Sequence, residues 1–410
     1  MFGPPFLVRV GFTPILFLLL ALLFACGNQS APIPPGPTQS APTFAEDLAL
    51  LQGAAPVQLL RAGEGVVAVS GQMQGKVFTS STSGPAGRSL GWFKREAFRD
   101  GSFRNRMGSL GGEERLWFGP DFGRFNVFVE PGLPQTDETR HVPPPIDTLY
   151  FAVTRQNERE VVSEGAMSFM NYRGYVFDVF VRRRVAVVDR ATAAEQLGQE
   201  LPPELDLVTF TTETDLTNRG ARAWARDSGL FSVWHLSCQT PTDSTTVIIP
   251  LRGRPDSIVN YFSPHRADRL RVTGDHALYR ADANYLNKIG VPARHTTPAF
   301  GSYSPELDLL TIVQFTFSAT DSLYVNAHPS ELPHPLGGDV VNVFNDGITP
   351  SGGGPYGPFH ELESSSPARE LAPGQRLRHG STYYHLRGPR PALDAVAHAV
   401  LGLRLEEAYW

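Results

Sequence analysis

Gly357-Pro358-Phe359-His360-Glu361-Leu362-Glu363-Ser364-Ser365-Ser366-Pro367, then Leu371-Ala372-Pro373-Gly374-Gln375 and His379-Gly380-Ser381-Thr382-Tyr383-Tyr384-His385-Leu386, reads as two antiparallel strands joined by a loop. Side chains alternate along a strand, so Phe359, Glu361 and Glu363 share one face. An ionised carboxylate is costly to desolvate without partners. That face is therefore either wet or holds something polar. One reading makes it the floor of a ligand cleft, with Glu361 or Glu363 as a base or a hydrogen-bond acceptor. The other makes it an edge strand with solvated glutamates.

Working outward, residues 101–132 (GSFRNRMGSLGGEERLWFGPDFGRFNVFVEPG) are the second informative region. Gly111-Gly112 permits a tight turn with positive φ. Glu113, Glu114 and Arg115 follow, then Leu116-Trp117-Phe118. Phe125, Val127 and Val129 alternate with Asn126, Phe128 and Glu130, which predicts a strand. Arginine beside tryptophan at a glycine turn suits a saccharide: an indole covers the C–H side of a sugar ring, while guanidinium and carboxylate groups take its hydroxyls. Arg106, Glu114, Arg115 and Trp117 are the candidates here. Alternatively they are a core tryptophan and surface charges of a hairpin.

From 338 to 347, Asp339, Val341, Val343 and Asn345 read as one strand face. Asn and Asp are poor strand formers, so Asp339 and Asn345, with Asn326, are candidate cleft residues. His360 is a further candidate. Runs 148–154, 160–169, 176–188, 205–216, 229–236, 245–250 and 309–317 lack helical period and read as strands. Lys288-Ile289-Gly290 and Phe300-Gly301-Ser302-Tyr303 read as loops. Arg182-Arg183-Arg184 reads as a solvated edge device against aggregation. With 39 Gly and 35 Pro for turns, the expected class is all-β: a large antiparallel β-sandwich with short peripheral helices. Thr43-x-x-Glu46 is a capping box opening a helix to about Gln52, and Pro391 to about Glu407 carries Leu393, Val396, Val400 and Leu403 at helical spacing. One domain over 43–410 is expected.

The first 25 residues read as a signal peptide, with Arg9 before the twelve-residue apolar run from Pro14 to Ala25, too short to span a bilayer. Leu23-Phe24-Ala25-Cys26 resembles a bacterial lipobox, which makes Cys26 the acylated residue and predicts anchoring to a membrane. Gly27 after it implies the outer membrane, facing the periplasm. Residues 26–42, rich in Pro and Ser, read as a tether. With 36 Lys+Arg against 41 Asp+Glu, nucleic-acid binding is not indicated. Cys238 is the one other cysteine, so neither an intrachain disulfide nor a cysteine metal cluster is expected.

GSLGGEERLWFGPDFG (108–123), KIGVPA (288–293), FGSY with LTIVQF (300–315), GDVVNVFNDG (338–347) and GPFHELESSSPARELAPGQ (357–375) resemble an uncharacterised family of lipoproteins from Bacteroidota-type bacteria. That family is similar to the galactose mutarotase-like, or aldose 1-epimerase-like, superfamily. The resemblance implies a mutarotase-like supersandwich that binds a saccharide. It also implies a catalytic glutamate on the strand near the carboxyl end: Glu361 first, Glu363 second. The superfamily's Asn-His-x-Tyr-Phe pattern is absent, so the acid is sought at His235, after Thr217-Asn218, or at His328. In such chemistry a carboxylate takes the anomeric hydroxyl proton while an acid protonates the ring oxygen, and no metal or other cofactor is needed. A monomer is expected. A non-catalytic glycan-binding lipoprotein and a structural envelope protein without ligand are the alternatives.

Overall fold

The computed structural model describes residues 41–136, 138–255, 258–321, 323–328, 334–348 and 354–410. The expected signal peptide, Cys26 and the expected tether up to residue 40 lie outside the described residues. The first described helix, Phe44–Ala54, is fixed by the capping box: Thr43 Oγ1 accepts from the Glu46 N–H, and the Glu46 carboxylate accepts from the Thr43 N–H. The last long helix, Arg390–Leu401, buries Leu393, Val396, Ala397 and Leu401 and ends where Gly402 takes a positive φ. Among the described residues no helix is long and apolar enough to cross a membrane.

Between these helices the chain is nearly all strand. Ten strands form one sheet in the order Leu270–Thr273, His276–Arg280, Thr246–Pro250, Ala299–Ser304, Leu309–Phe315, Arg376–Arg387, Asp206–Asn218, Val176–Val187, Glu160–Met170, Ala152–Gln156. Six form the second: Val259–Asn260, Asn287–Pro292, Asp339–Asn345, His360–Ser365, Ser232–Gln239, Arg115–Gly119. A third sheet of three strands holds Gln58–Ala62, Gly65–Ser70 and Lys76–Ser81. Paired strands run antiparallel throughout. The molecule is the all-β antiparallel sandwich expected from the turn-rich sequence. Val67, Val185, Phe210, Phe300, Val343, Leu362 and Tyr383, drawn from all three sheets, share one buried cluster. The Arg390–Leu401 helix covers the other face of the ten-stranded sheet through Leu393, Val396, Ile248, Leu310 and Tyr384.

Four local expectations are corrected. Residues 125–130 alternate but form no strand, because the Asn126 carboxamide accepts from the Phe128 and Val129 N–H groups and curls the segment into a loop. Lys288-Ile289-Gly290 lies inside a strand, as does Phe300 to Tyr303. Arg183 is fully buried, and its strand is third from the sheet's end.

Candidate functional site

The His360–Ser365 strand lies inside the six-stranded sheet, between Asp339–Asn345 and Ser232–Gln239. Glu361 stands opposite Phe344 and Cys238, Glu363 opposite Asn342 and Leu236, and Ser364 opposite His235. Strand alternation then sorts the side chains. Ser364 and His235 point inward: the Ser364 hydroxyl is 3.0 Å from His379 and 3.0 Å from Ser381, and His235 Nε2 is 2.9 Å from Thr214 Oγ1, all across on the ten-stranded sheet. Glu361 and Glu363 therefore point the other way, onto the outer face.

Both glutamates are buried there, and each has a cation. Glu363 Oε2 accepts from Trp234 Nε1 at 3.0 Å and lies 3.2 Å from Lys288 Nζ. The ammonium sits 4.2 Å from the Trp234 ring centroid and 5.1 Å from that of Tyr261, a cation–π arrangement. Tyr261 donates its hydroxyl to Asp339 Oδ2 at 2.6 Å. Glu361 Oε1 lies 2.7 Å from Arg115 and accepts from the Cys238 thiol at 3.0 Å. Arg115 also donates to Cys238 Sγ at 2.7 Å and stacks 5.1 Å over Trp117.

Burial pushes the Glu363 carboxyl up to about 7; Lys288 opposes the shift and neighbouring Glu361 adds to it. Burial likewise pushes Asp339 up to about 6, against its bond from Tyr261. The Cys238 thiol is pushed well up, chiefly by burial, and stays protonated. The outer face thus holds two carboxyl groups that exchange protons near neutrality. It is almost sealed by its own side chains. It opens in a notch of about 260 Å³, measured out to its mouth, lined by Gly119, Ser232, Trp234, Tyr261, Lys288, Val325, Ala327, Asp339, Asn342 and Ser365. No group of three His, Cys, Asp or Glu placed to hold a metal occurs among the described residues.

The other candidates distribute as follows. Asn326 sits between two notch-lining residues, Val325 and Ala327, and its carboxamide oxygen accepts from the His328 N–H at 3.0 Å. The His328 ring lies 5.4 Å from the Tyr261 ring. His235 is inside the sandwich, on the side of the sheet away from both glutamates; burial first, then His379 and Arg183, hold it well below the usual histidine range and so neutral. Glu114 is inside too, paired with Arg183. His360 is buried with no partner for either ring nitrogen among the described residues, and burial lowers it to about 3. Asn345 spends its amide on backbone, accepting from the Ala283 N–H and donating to the Tyr285 carbonyl. Arg106 is exposed, with its charge acting on Asp147. Asp339 leaves the face it was expected to share with Val341, Val343 and Asn345, because the pairing slips between Val291 and Pro292.

Sequence reasoning missed Lys288, Trp234, Tyr261 and Asn342. A signal existed for one of them. Lys288 is a lone lysine in Asn287–Pro292, a short β-compatible run, and such a residue invites the question of its counter-charge.

An antiparallel β-sandwich with an acid-bearing, aromatic-rimmed outer face is the class this chain defines. It belongs to DUF6786, a family of unknown function, whose model matches residues 42–409. No curated protein matches it. Among solved structures it is similar to a putative aldose 1-epimerase from Escherichia coli K12, with 12% identity over 82% of this chain and 99% of that one and a TM-score of 0.48. A galactose mutarotase-like protein from Lactobacillus casei gives 9% identity, 80% and 100% coverage and a TM-score of 0.46. A putative mutarotase from Salmonella typhimurium gives 13%, 81% and 90%, and 0.46.

Proposed function

We propose that this is a saccharide-binding protein of the bacterial envelope, of the Bacteroidota-type lipoprotein kind, lipid-anchored through Cys26. It holds a sugar residue at the notch. The observation that carries the reading is the Trp234–Lys288–Tyr261 stack beside Glu363, Asp339 and Asn342 at the opening of a face that is otherwise sealed. Aromatic walls next to a few convergent polar groups are what a sugar ring requires, since its faces are apolar C–H and its rim is hydroxyl. The space inside the notch is only about 10 Å³, room for about one water. A sugar ring therefore rests against the aromatic rim of the notch and not inside it.

The test is a thermal-shift and calorimetric screen against mono- and oligosaccharides. A sugar that binds the native state raises the melting temperature. Asn342→Ala and Lys288→Met are expected to weaken that sugar at least about tenfold, the loss of one or two hydrogen bonds, one of them charged. If no sugar shifts the wild type, the reading falls and a ligand-free envelope role replaces it.

A second reading adds aldose 1-epimerase-like chemistry, and one observation favours it. A carboxyl group pushed up to about 7 is present in both protonation states at neutral pH, which suits a general base. Glu363 would take the anomeric hydroxyl proton as the ring oxygen receives one from the Lys288 ammonium. The ring C–O bond breaks to the aldehyde and re-forms on the other face. Glu361, locked to Arg115 and Cys238, is the comparison. Polarimetry of fresh α-glucose or α-galactose decides it: acceleration by wild type, lost in Glu363→Gln and kept in Glu361→Gln, is the expected result. No acceleration by wild type leaves binding alone.

A further inference from the structure

A second concavity lies beside the notch. Val325 and Ala327 line the notch, whereas Pro335 and Leu336 line the second site. The Asn326 N–H donates to the Pro335 carbonyl at 2.8 Å, so the two walls are hydrogen-bonded to each other. This groove measures about 980 Å³ out to its mouth, and three arginines, Arg124, Arg173 and Arg226, surround Phe125, with Asp227 the one acid in its lining.

Two facts make it more than a scatter of surface charge. First, its walls are pinned together by buried asparagines. The Asn171 carboxamide donates to the Ser228 carbonyl and accepts from the Arg173 N–H, and the Tyr172 N–H donates to the Asn126 carbonyl. Gly229 lies so close to Asn171 and Phe125 that an added Cβ would come within 2.7 Å and 2.8 Å of their side chains. Second, the charge is available. Among the described residues no carboxylate lies within ion-pair distance of Arg124 or Arg173, and Arg226 meets Glu370 at 3.3 Å with both side chains at least half exposed, a pair of little worth.

We propose that this groove binds the anionic substituents, carboxylate or sulfate, of an acidic oligosaccharide whose end residue rests on the rim of the notch. The inference rests on the saccharide reading above. The planar guanidinium fork matches carboxylate and sulfate oxygens bidentately. Phe125, Pro335 and Leu336 offer apolar contact to ring C–H groups, and the groove is concave where a membrane surface is flat. A sugar resting on the rim of the notch leaves the remaining rings of an oligosaccharide to run elsewhere, and this is the adjoining open concavity.

The probes are tri-galacturonate and its methyl ester, which keeps the rings and linkages and removes the charges. Isothermal titration of the full chain is expected to give at least about tenfold tighter binding of the acid than of the ester at low salt, a preference that high salt erases. Arg124→Gln with Arg173→Gln, both exposed and outside the notch, is expected to bring the acid down to the affinity of the ester and leave the ester unchanged. Equal affinity for acid and ester in wild type overturns the groove while leaving the notch standing. If neither trisaccharide binds but a neutral monosaccharide still raises the melting temperature, the groove alone falls; if no sugar binds, both fall. Sedimentation with phosphatidylglycerol vesicles that drops in the double variant, with sugar affinity unchanged, makes the groove a membrane contact and also overturns the proposal.

Discussion

Glu363 is held by opposed forces: burial favours its neutral form, Lys288 favours the charged form, and Glu361 nearby favours the neutral one again. The balance leaves the carboxyl at about 7 in the folded chain against 4.5 as the ordinary value. The native state therefore binds an extra proton between those two values. That contribution to stability is fully present below about pH 4.5 and is lost as pH rises through about 7. Asp339, raised to about 6 from 3.8, adds the same sign over a lower window. His235, His360 and His379, held neutral by burial, contribute the opposite sign as pH rises towards the ordinary histidine value of 6.5, so the carboxyl is read as a difference between two proteins. Urea unfolding is expected to show the stability of wild type relative to Glu363→Gln, which cannot titrate there, falling by an amount on the order of 1–3 kcal/mol between about pH 5 and pH 8. Curves for the two proteins that run parallel over this range would remove the shifted carboxyl from the account.

Opposite faces of the same six-stranded sheet carry different polar layers, and the inner one is a matter of elements. Arg183, from the Val176–Val187 strand, donates to Glu114, to Thr214 Oγ1 at 3.0 Å and to the Gly75 carbonyl at 3.3 Å, and so ties three segments together in the dry interior. Arg182 and Arg184, on the other face of that strand, meet Glu164, Glu160 and Glu213 where water competes. Removing one partner of a buried pair strands the other charge, whereas an exposed pair costs little. Arg183→Ala is expected to destabilise the fold by about 3–5 kcal/mol and Arg182→Ala by under about 1 kcal/mol, both read by urea unfolding. Equal costs would mean that the interior ion pair is not formed.

The same strand marks how far the sequence could be read. Alternation told which residues share a face, and for Glu361 and Glu363 that sufficed. It could not tell which face looks inward or where a strand sits in its sheet, because both depend on partners more than a hundred residues away, such as Glu363 with Trp234. Hence a buried Arg183 read as an edge device and an inward His235 read as an acid for an outward glutamate. Asp339 was misplaced for a different reason, a slip in pairing at Val291/Pro292 that no local pattern announces.

Attachment belongs to the scale of the whole molecule. The apolar clusters draw on residues from Phe44 onward, and no described helix is suited to cross a bilayer. A membrane association arising from the amino-terminal segment would therefore act through Cys26 and leave the sandwich's stability untouched. The Pro/Ser-rich stretch from 27 to 42 would give a reach of up to about 50 Å if extended at roughly 3.1 Å per residue, enough to hold the domain clear of a lipid surface. Wild type expressed in a Gram-negative host is expected in the detergent-extractable membrane fraction and to take up labelled fatty acid. Cys26→Ser should lose the label and move to the aqueous fraction, with the melting temperature and any sugar affinity unchanged. If Cys26→Ser stays with the membrane, attachment runs through the domain surface instead, and the arginine groove becomes the first place to look for it.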